Sequence, residues 1–384
     1  MALTTDVLII GGGLAGAATA YYLACDGAEV TVIEQFDLNT QASGSNSGSI
    51  HAQIPHLPFV EEGDAWAHTF APTIPLLLES IRMWHGLSAL LGVDLEVATP
   101  GGLLVAETDA QMRDVERKAA IERDQGMQIE LLDCDGLKRL APYLSGSMVG
   151  GAYSPQEGKA NPLKVAPAYA AAAVKLGARI RTFTEVTGLE RTAFGFRVST
   201  TTGDVKARCV VDCAGAAAGR IAALVGVSLP IEGHAIQVSV TEPVAPLVRH
   251  LVYFAGARLT LKQATSGACL IGGGWPGRIG PGEGQLSVDL RSLRDNLRVA
   301  VHVVPRLSGV RLLRTWTAIV NGTADWKPIL GELPGQPGFF LNMFPWLGFS
   351  AGPVAARIVA DLVLGRKPAF DMSVFSARRY GISA

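Results

Sequence analysis

Neither sign of charge is in excess: 33 lysines and arginines stand against 34 aspartates and glutamates. Without a basic surface, neither nucleic acid nor an anionic membrane is expected as a partner. Cysteine is sparse, and Cys25, Cys134, Cys209, Cys213 and Cys269 form no Cys-x-x-Cys pair and have no histidine ligands nearby. That argues against a zinc or iron-sulfur site in this chain and for reduced, intracellular thiols. No Ser-His-Asp set, paired-carboxylate or metal constellation is visible either. The one long uncharged run, Val7 to Ala24, is preceded by no basic residue and carries spaced glycines. A signal peptide and a transmembrane segment are therefore not expected. What is abundant is glycine, with 44 residues in 384, which suits an enzyme with many tight turns and a two-lobed body able to bury a large core.

The chain is organised around its first thirty-odd residues. Val7 to Ile10 is a short aliphatic run that ends abruptly in glycine, which reads as a buried parallel strand entering a tight turn. In the spacing Gly11-x-Gly13-x-x-Gly16, the first glycine permits the turn and the second lets backbone amides approach a pyrophosphate. The third allows close packing of helix on strand. Ala17 to Cys25 continues the helix, whose N-terminal dipole favours an anion. Glu29 to Ile33 reads as the next strand, with Glu34 at its carboxyl end. A carboxylate there accepts ribose hydroxyls and repels a 2'-phosphate, so the ligand expected from these residues is FAD or NAD.

Gln41 to His51 is a run of small and hydroxyl residues directly after that acid, able to wrap closely around phosphate or an isoalloxazine ring. Trp66 to Leu91 has helical spacing, Val93 to Val97 and Gly102 to Ala106 read as strands, and Asp109 to Asp124 as a helix with a solvated charged face. Asn161 and Pro162 are a helix N-cap and first position for Leu163 to Leu176, which Gly177 ends. The strand Cys209 to Cys213 runs into Ala214 and Gly215, a second strand-to-small-residue turn that returns to the nucleotide domain. A second β-rich excursion follows over Ile236 to Gly274, then a helix over Ser287 to Val303. The chain closes with Phe339 to Met343, Gly348 to Pro353 and an apolar helix, Val354 to Leu364.

These segments together resemble the D-amino-acid oxidase-like flavoproteins, the group of glycine oxidase, sarcosine oxidase and dye-linked amino acid dehydrogenases, across nearly the whole chain. The pieces that carry it are the Gly11/Gly13/Gly16/Glu34 fingerprint, the Ser43-Gly44 loop, Val210 to Gly215, and the terminal Asp325-x-x-Pro328-x-x-Gly331 with Gly348-Phe349-x-x-x-Pro353. The resemblance implies an α/β, two-lobed fold, a Rossmann-like FAD-binding domain joined to a discontinuous antiparallel β-sheet substrate domain. The division expected is 1–85, 150–229 and 325–384 for FAD, and 86–149 and 230–324 for substrate. It implies FAD contacts from Gly11, Gly13, Leu14, Ala15, Gly16, Glu34, Gln35, Ser43, Gly44, Ser45, Asn46, Ser49, Val186, Ala214, Gly215, Leu347, Gly348, Phe349 and Ser350. Ala318 stands where sarcosine oxidases carry a flavin-linking cysteine, so the FAD is expected to be noncovalent.

Within the group, Ala42 to Ser49 and Ile54-Pro55-His56 look most like the B subunits of heteromeric opine (octopine or nopaline) oxidases and D-hydroxyproline dehydrogenases. That likeness implies a larger FAD-type A subunit, a small iron-sulfur subunit, and an FMN or iron-sulfur cluster at or in those partners. It also implies a bacterial cytoplasmic protein, peripheral to the inner membrane through electron transfer. The expected reaction is hydride transfer from the carbon bearing nitrogen to flavin N5, followed by hydrolysis of the imine. Where the single-chain oxidases grip the substrate carboxylate with arginine, this chain has Val320 and Trp346, and neither makes a bidentate pair. The grip must come from elsewhere, with His234, Arg258 and Lys262 as candidates and Tyr253 as a hydrogen-bond donor beside them; His51, a further catalytic candidate, and His56 follow the cofactor loop and are expected near the flavin edge. An independent, oxygen-using amino acid oxidase is the alternative within enzymes, and the missing arginines also leave open a noncatalytic subunit that binds FAD for structure or electron relay.

Overall fold

Val7, Leu8, Ile9 and Ile10 are all buried because the strand Leu3–Ile10 lies at the centre of a sheet covered on both faces. Such a strand reads as an unbroken apolar run rather than an alternation. In the computed structural model, which describes residues 3–282 and 285–382, it pairs in parallel with Val30–Ile33 on one side and Val205–Asp212 on the other. Arg179–Arg181 extends the first side and Phe339–Met343 the second, both in parallel, with Ile329–Glu332 antiparallel at the edge. A hairpin, Val186–Thr192 and Gly195–Thr200, joins Val205–Asp212 antiparallel.

Helices Leu14–Cys25, Pro162–Lys175 and Gly348–Val363 pack together over one face of this sheet. Their facing residues, among them Ala17, Ala20, Ala166, Ala351 and Ala355, are small and buried. Small side chains let the three backbones approach closely, and a β-carbon on Gly352 would fall 2.5 Å from the Leu14 side chain.

The second sheet has eight strands, in the order Leu312–Gly322, Glu232–Pro243, Ala268–Gly272, Thr260–Gln263, Leu251–Phe254, Gly102–Ala106, Gly150–Ser154, Glu130–Asp133. All neighbours are antiparallel except Leu251–Phe254 with Gly102–Ala106, the seam where the two excursions of the chain meet. Gly150–Ser154 pairs with strands from both sides of it, so a division at 149/150 runs through this sheet.

Three elements differ from the sequence reading. Val93 to Val97 is not a strand. Gly92 ends the preceding helix in the left-handed region, Ser88 Oγ accepts the Leu95 amide and Asp94 Oδ1 accepts the Glu96 amide. Local side-chain bonds have taken the amides that a ladder would need. The helix expected from Ser287 begins at Leu290, because Asp289 accepts the Ser292 amide as its N-cap. The last helix starts at Gly348 and tolerates Pro353 in its second turn.

Candidate active site

The turn after Leu3–Ile10 is built without room for side chains. Gly11 has φ +111° and a β-carbon there would lie 2.5 Å from the Cys213 carbonyl; one on Gly16 would overlap the Gly11 carbonyl oxygen. Gly13 is the N-cap of the first helix and offers no capping side chain, while the Leu14 amide donates to Ser43 Oγ at 2.9 Å. Glu34 accepts the Gly12 amide at 2.6 Å through one oxygen and the Phe36 amide at 2.9 Å through the other. These groups border a cleft of about 200 Å³, whose wall includes Gly11, Gly13, Gln35, Ser43, Val186, Ala214 and Gly215. Gly215, at φ +59°, has open space where a β-carbon would stand. Asp212 holds this turn by accepting the Ala214 amide at 3.0 Å, and burial raises its carboxyl to about 8.

Amide donors at a helix start, a carboxylate at the end of the second strand and two open glycine turns fit an adenosine diphosphate. Glu34→Gln is expected to weaken FAD about tenfold, since hydrogen bonds to a charged acceptor contribute about 1.5–3 kcal/mol. Titrating the apoprotein with FAD and following flavin fluorescence measures it.

Ala42–Ser45 is a short helix that brings Ser43 to the cleft. Asn46 is committed to the loop itself, accepting the Gly48 amide at 2.7 Å and donating to the Ser43 carbonyl at 2.5 Å. A β-carbon on Gly44 would overlap the Asn39 carbonyl, and Ser45 gives its carbonyl to the Trp316 indole. Beyond them opens a second cavity of about 910 Å³ against the second sheet. Its near wall includes Ser45, Asn46, Ser49, His51, Leu347, Phe349 and Ser350; Gly348 has open space above it. Ser350 Oγ accepts the His51 amide at 3.0 Å and donates to the Ser49 carbonyl at 3.2 Å, so it ties the C-terminal helix to the segment that follows the serine loop.

The far wall comes from the second sheet. Ile236, Val238, Ala318 and Val320 make it aliphatic, and His234 packs at a tilt against Trp346 with ring centres 4.6 Å apart. Trp346 in turn stacks on Trp326 at 4.8 Å, and Trp66 meets Trp326 edge-on. Both Trp326 and Trp346 have φ in the left-handed region, at 59° and 55°, a conformation that costs a bulky residue about 1–3 kcal/mol. Arg258 is the one fixed cation among the described residues of this wall, and it donates to the Gly274 carbonyl at 2.9 Å. Tyr253 lines the cavity with its hydroxyl buried and without a partner, 5.9 Å ring to ring from His51. Burial, reinforced by Lys262 and Lys118, pushes the His51 imidazole down to about 3; burial and Lys118 do the same for His56. Both rings are neutral at physiological pH, and neither nitrogen of His56 has a partner.

Lys262 is not part of the cavity lining. It is buried, and its ammonium donates to Ser49 Oγ at 2.8 Å. The sequence reading of Asp109–Asp124 as a solvated face needs correction at two positions. Lys118 and Glu122 are each 1% exposed and joined at 2.5 Å. The signal was in the spacing, since Val115, Lys118, Ala119 and Glu122 form one helical stripe. Gln53 and Glu157, also buried, complete a polar cluster within and behind residues 51–56 that the sequence reading missed.

With this geometry in view, the comparisons place the chain plainly: it belongs to the FAD dependent oxidoreductase family, whose model matches residues 6–362. Glycine oxidase of Geobacillus kaustophilus is 30% identical, over 98% of this chain and 97% of its own. The opine oxidase B subunit of Rhizobium meliloti is also 30% identical, with the same coverage of 98% and 97%. The crystal structure of the Geobacillus glycine oxidase has a TM-score of 0.88 at 28% identity and 98% coverage of both chains. L-proline dehydrogenase from P. horikoshii has a TM-score of 0.89 at 24% identity, covers 99% of each chain, and shares the fold. The cofactor is FAD, and the chain is an FAD-dependent oxidoreductase of the amine and amino acid class. Among the described residues, no helix is long and apolar enough to cross a membrane.

Proposed function

We propose that this chain is the catalytic FAD subunit of a dehydrogenase that oxidises the C–N bond of an opine or another secondary amino acid, giving a keto acid and an amino acid. The observation that carries the reading is the large cavity, which runs from the serine loop to Trp66 and Trp326 and has one guanidinium on an aliphatic and aromatic wall. An N-carboxyalkyl amino acid offers one of its two carboxylates to Arg258 and its alkyl carbons to the apolar wall. Val320 and Trp346 widen the apolar part where a second guanidinium would otherwise bind a small amino acid. FAD, when bound, supplies the two-electron acceptor. The protein's part is to orient the carbon that bears nitrogen, exclude water and keep the amine neutral. His51 and His56 present uncharged rings to the cavity, and Tyr253 and His234 offer hydrogen bonds.

In this reading the FAD is noncovalent, residues 86–149 and 230–324 together with the strand Gly150–Ser154 shape the substrate side, and the remainder holds the cofactor. The opine and sarcosine oxidase relatives are named as subunits, which supports partner subunits; the reading takes these to be a larger FAD-type subunit and a small iron-sulfur subunit, in a cytoplasmic complex. Val320 and Trp346 also favour a second reading, a relay subunit that binds FAD while a partner does the chemistry.

Anaerobic addition of octopine, nopaline, D-hydroxyproline, sarcosine and glycine in turn tests it. Bleaching of the oxidised-flavin band of this chain alone by an opine or D-hydroxyproline is the expected result. Persistence of the band with all five, with bleaching once partners are added, favours the relay. Peroxide formed at the rate of flavin reduction in air points instead to an oxidase.

A further inference from the structure

Within and behind the wall formed by residues 51–56 lies a buried polar cluster with two carboxylates and one ammonium, whose Gln53 also lines the cavity. Lys118 Nζ donates to Glu122 Oε1 at 2.5 Å and to Gln53 Oε1 at 3.0 Å. Gln53 therefore turns its amide nitrogen to Glu157 Oε2, at 2.7 Å, while the Ala52 and Gln53 amides donate to Glu157 Oε1 at 2.9 and 3.2 Å. Glu122 Oε1 also accepts the Ile54 amide at 2.7 Å. Lys118 and Glu122 neutralise each other, and Glu157 is the surplus carboxylate. It is 0% exposed, and burial raises its carboxyl to about 7. The titratable and charged groups facing it are Lys118 and Glu122 from their helix, Tyr253 from its strand, and His51 and His56 from the wall segment.

Tyr253 stands between this cluster and the cavity. It lines the cavity, and Glu157 is close enough to raise the phenol's pKa, below the effect of burial in size. The buried hydroxyl has no hydrogen-bond partner, so its donor and its acceptor capacity are both unspent. The two histidines are too weakly basic, in these surroundings, to take a proton from an ammonium group. Lys262 is engaged with Ser49.

We propose that Glu157, reached through the Tyr253 hydroxyl, accepts the proton that a substrate ammonium must lose before its carbon can give up hydride. The N–H bond breaks with its electron pair left on nitrogen. That proton goes to the phenolic oxygen as the phenolic proton goes to Glu157, and no oxidant takes part. The inference rests on the amine-oxidising reading above. Glu157 is ionised and able to accept only above its own pKa, so flavin reduction by substrate is expected to rise with pH through about 7.

The test is the pH profile of anaerobic flavin reduction in the holoenzyme, with partners present if they are needed, for wild type, Glu157→Gln, Tyr253→Phe and Lys262→Met. Glutamine retains an oxygen to accept the Ala52 and Gln53 amides, so the wall segment is preserved. In Glu157→Gln and Tyr253→Phe the acid limb is expected to move up to the free amine's own titration, with a loss on the order of 10²-fold at pH 7. In Lys262→Met the limb stays in place. The second readout is the infrared difference spectrum of substrate-bound minus free enzyme. A protonated glutamic acid C=O band should grow in wild type and be absent in Glu157→Gln. An unmoved limb in Glu157→Gln, a uniform loss at every pH, or a limb that follows Lys262→Met overturns the proposal. If no amine reduces the wild-type flavin, the functional reading falls and this inference falls with it; reduction with an unmoved limb removes this inference alone.

Discussion

Gly16→Ala is expected to yield a protein that purifies without flavin. The added methyl would overlap the Gly11 carbonyl oxygen and press on Ile9, so the first helix must move away from the first strand. That shift displaces the Leu14 amide from Ser43 Oγ and opens the turn whose amides are placed for the pyrophosphate. Overpacking of this kind costs about 1–3 kcal/mol or more, and here it falls on the turn proposed to bind the cofactor. A loss of FAD affinity on the order of 10²-fold follows, with the far-ultraviolet circular dichroism unchanged. Gly86→Ala is a matched control, because a β-carbon there meets no atom within 4 Å. Full flavin content in the Gly16 variant would show that the fingerprint does not set cofactor affinity.

Lys262→Met is expected to stabilise the apoprotein at neutral pH. The lysine is 2% exposed with one hydrogen-bond partner, and burial, aided by Lys159, lowers its pKa from 10.5 to about 7. A folded-state pKa below the unfolded one means that the unfolded chain binds the proton more readily. Stability is then fully present above about 10.5 and declines as pH falls toward 7, where the folded protein begins to bind the proton too. Methionine removes this linkage and nearly conserves volume, for an expected gain of roughly 2–4 kcal/mol at pH 7 that shrinks by pH 10. Urea midpoints of the two apoproteins at both pH values measure it. Equal midpoints at pH 7 would mean that the lysine is not isolated as the structure has it.

The first βαβ unit was legible because its signals are local. A strand that is apolar on both faces, glycines at fixed offsets and an acid at the next strand end all lie within thirty-odd residues. The second sheet was legible as strands but not in its order. Pairing Leu251–Phe254 with Gly102–Ala106 joins segments about 150 residues apart, which no local pattern encodes. Val93 to Val97 misled because its alternation is real, yet Ser88 and Asp94 take the amides. The Lys118 and Glu122 pair misled differently. Charge at i and i+4 on a helix usually faces water, and here a buried glutamine and a second carboxylate 35 residues further on make burial possible. Trp326 and Trp346 were visible as residues, but their left-handed backbone depends on stacking between separate loops.

The most direct test of the account is a single anaerobic turnover of the isolated, FAD-loaded chain with an N-carboxyalkyl amino acid, counting keto acid released per flavin reduced. One keto acid per flavin, without partner subunits, is the predicted result, since the cavity, the lone Arg258 and the cofactor cleft all belong to this chain. An oxidised flavin and no keto acid, with turnover restored only when a partner is added, would contradict it and move the chemistry to another subunit.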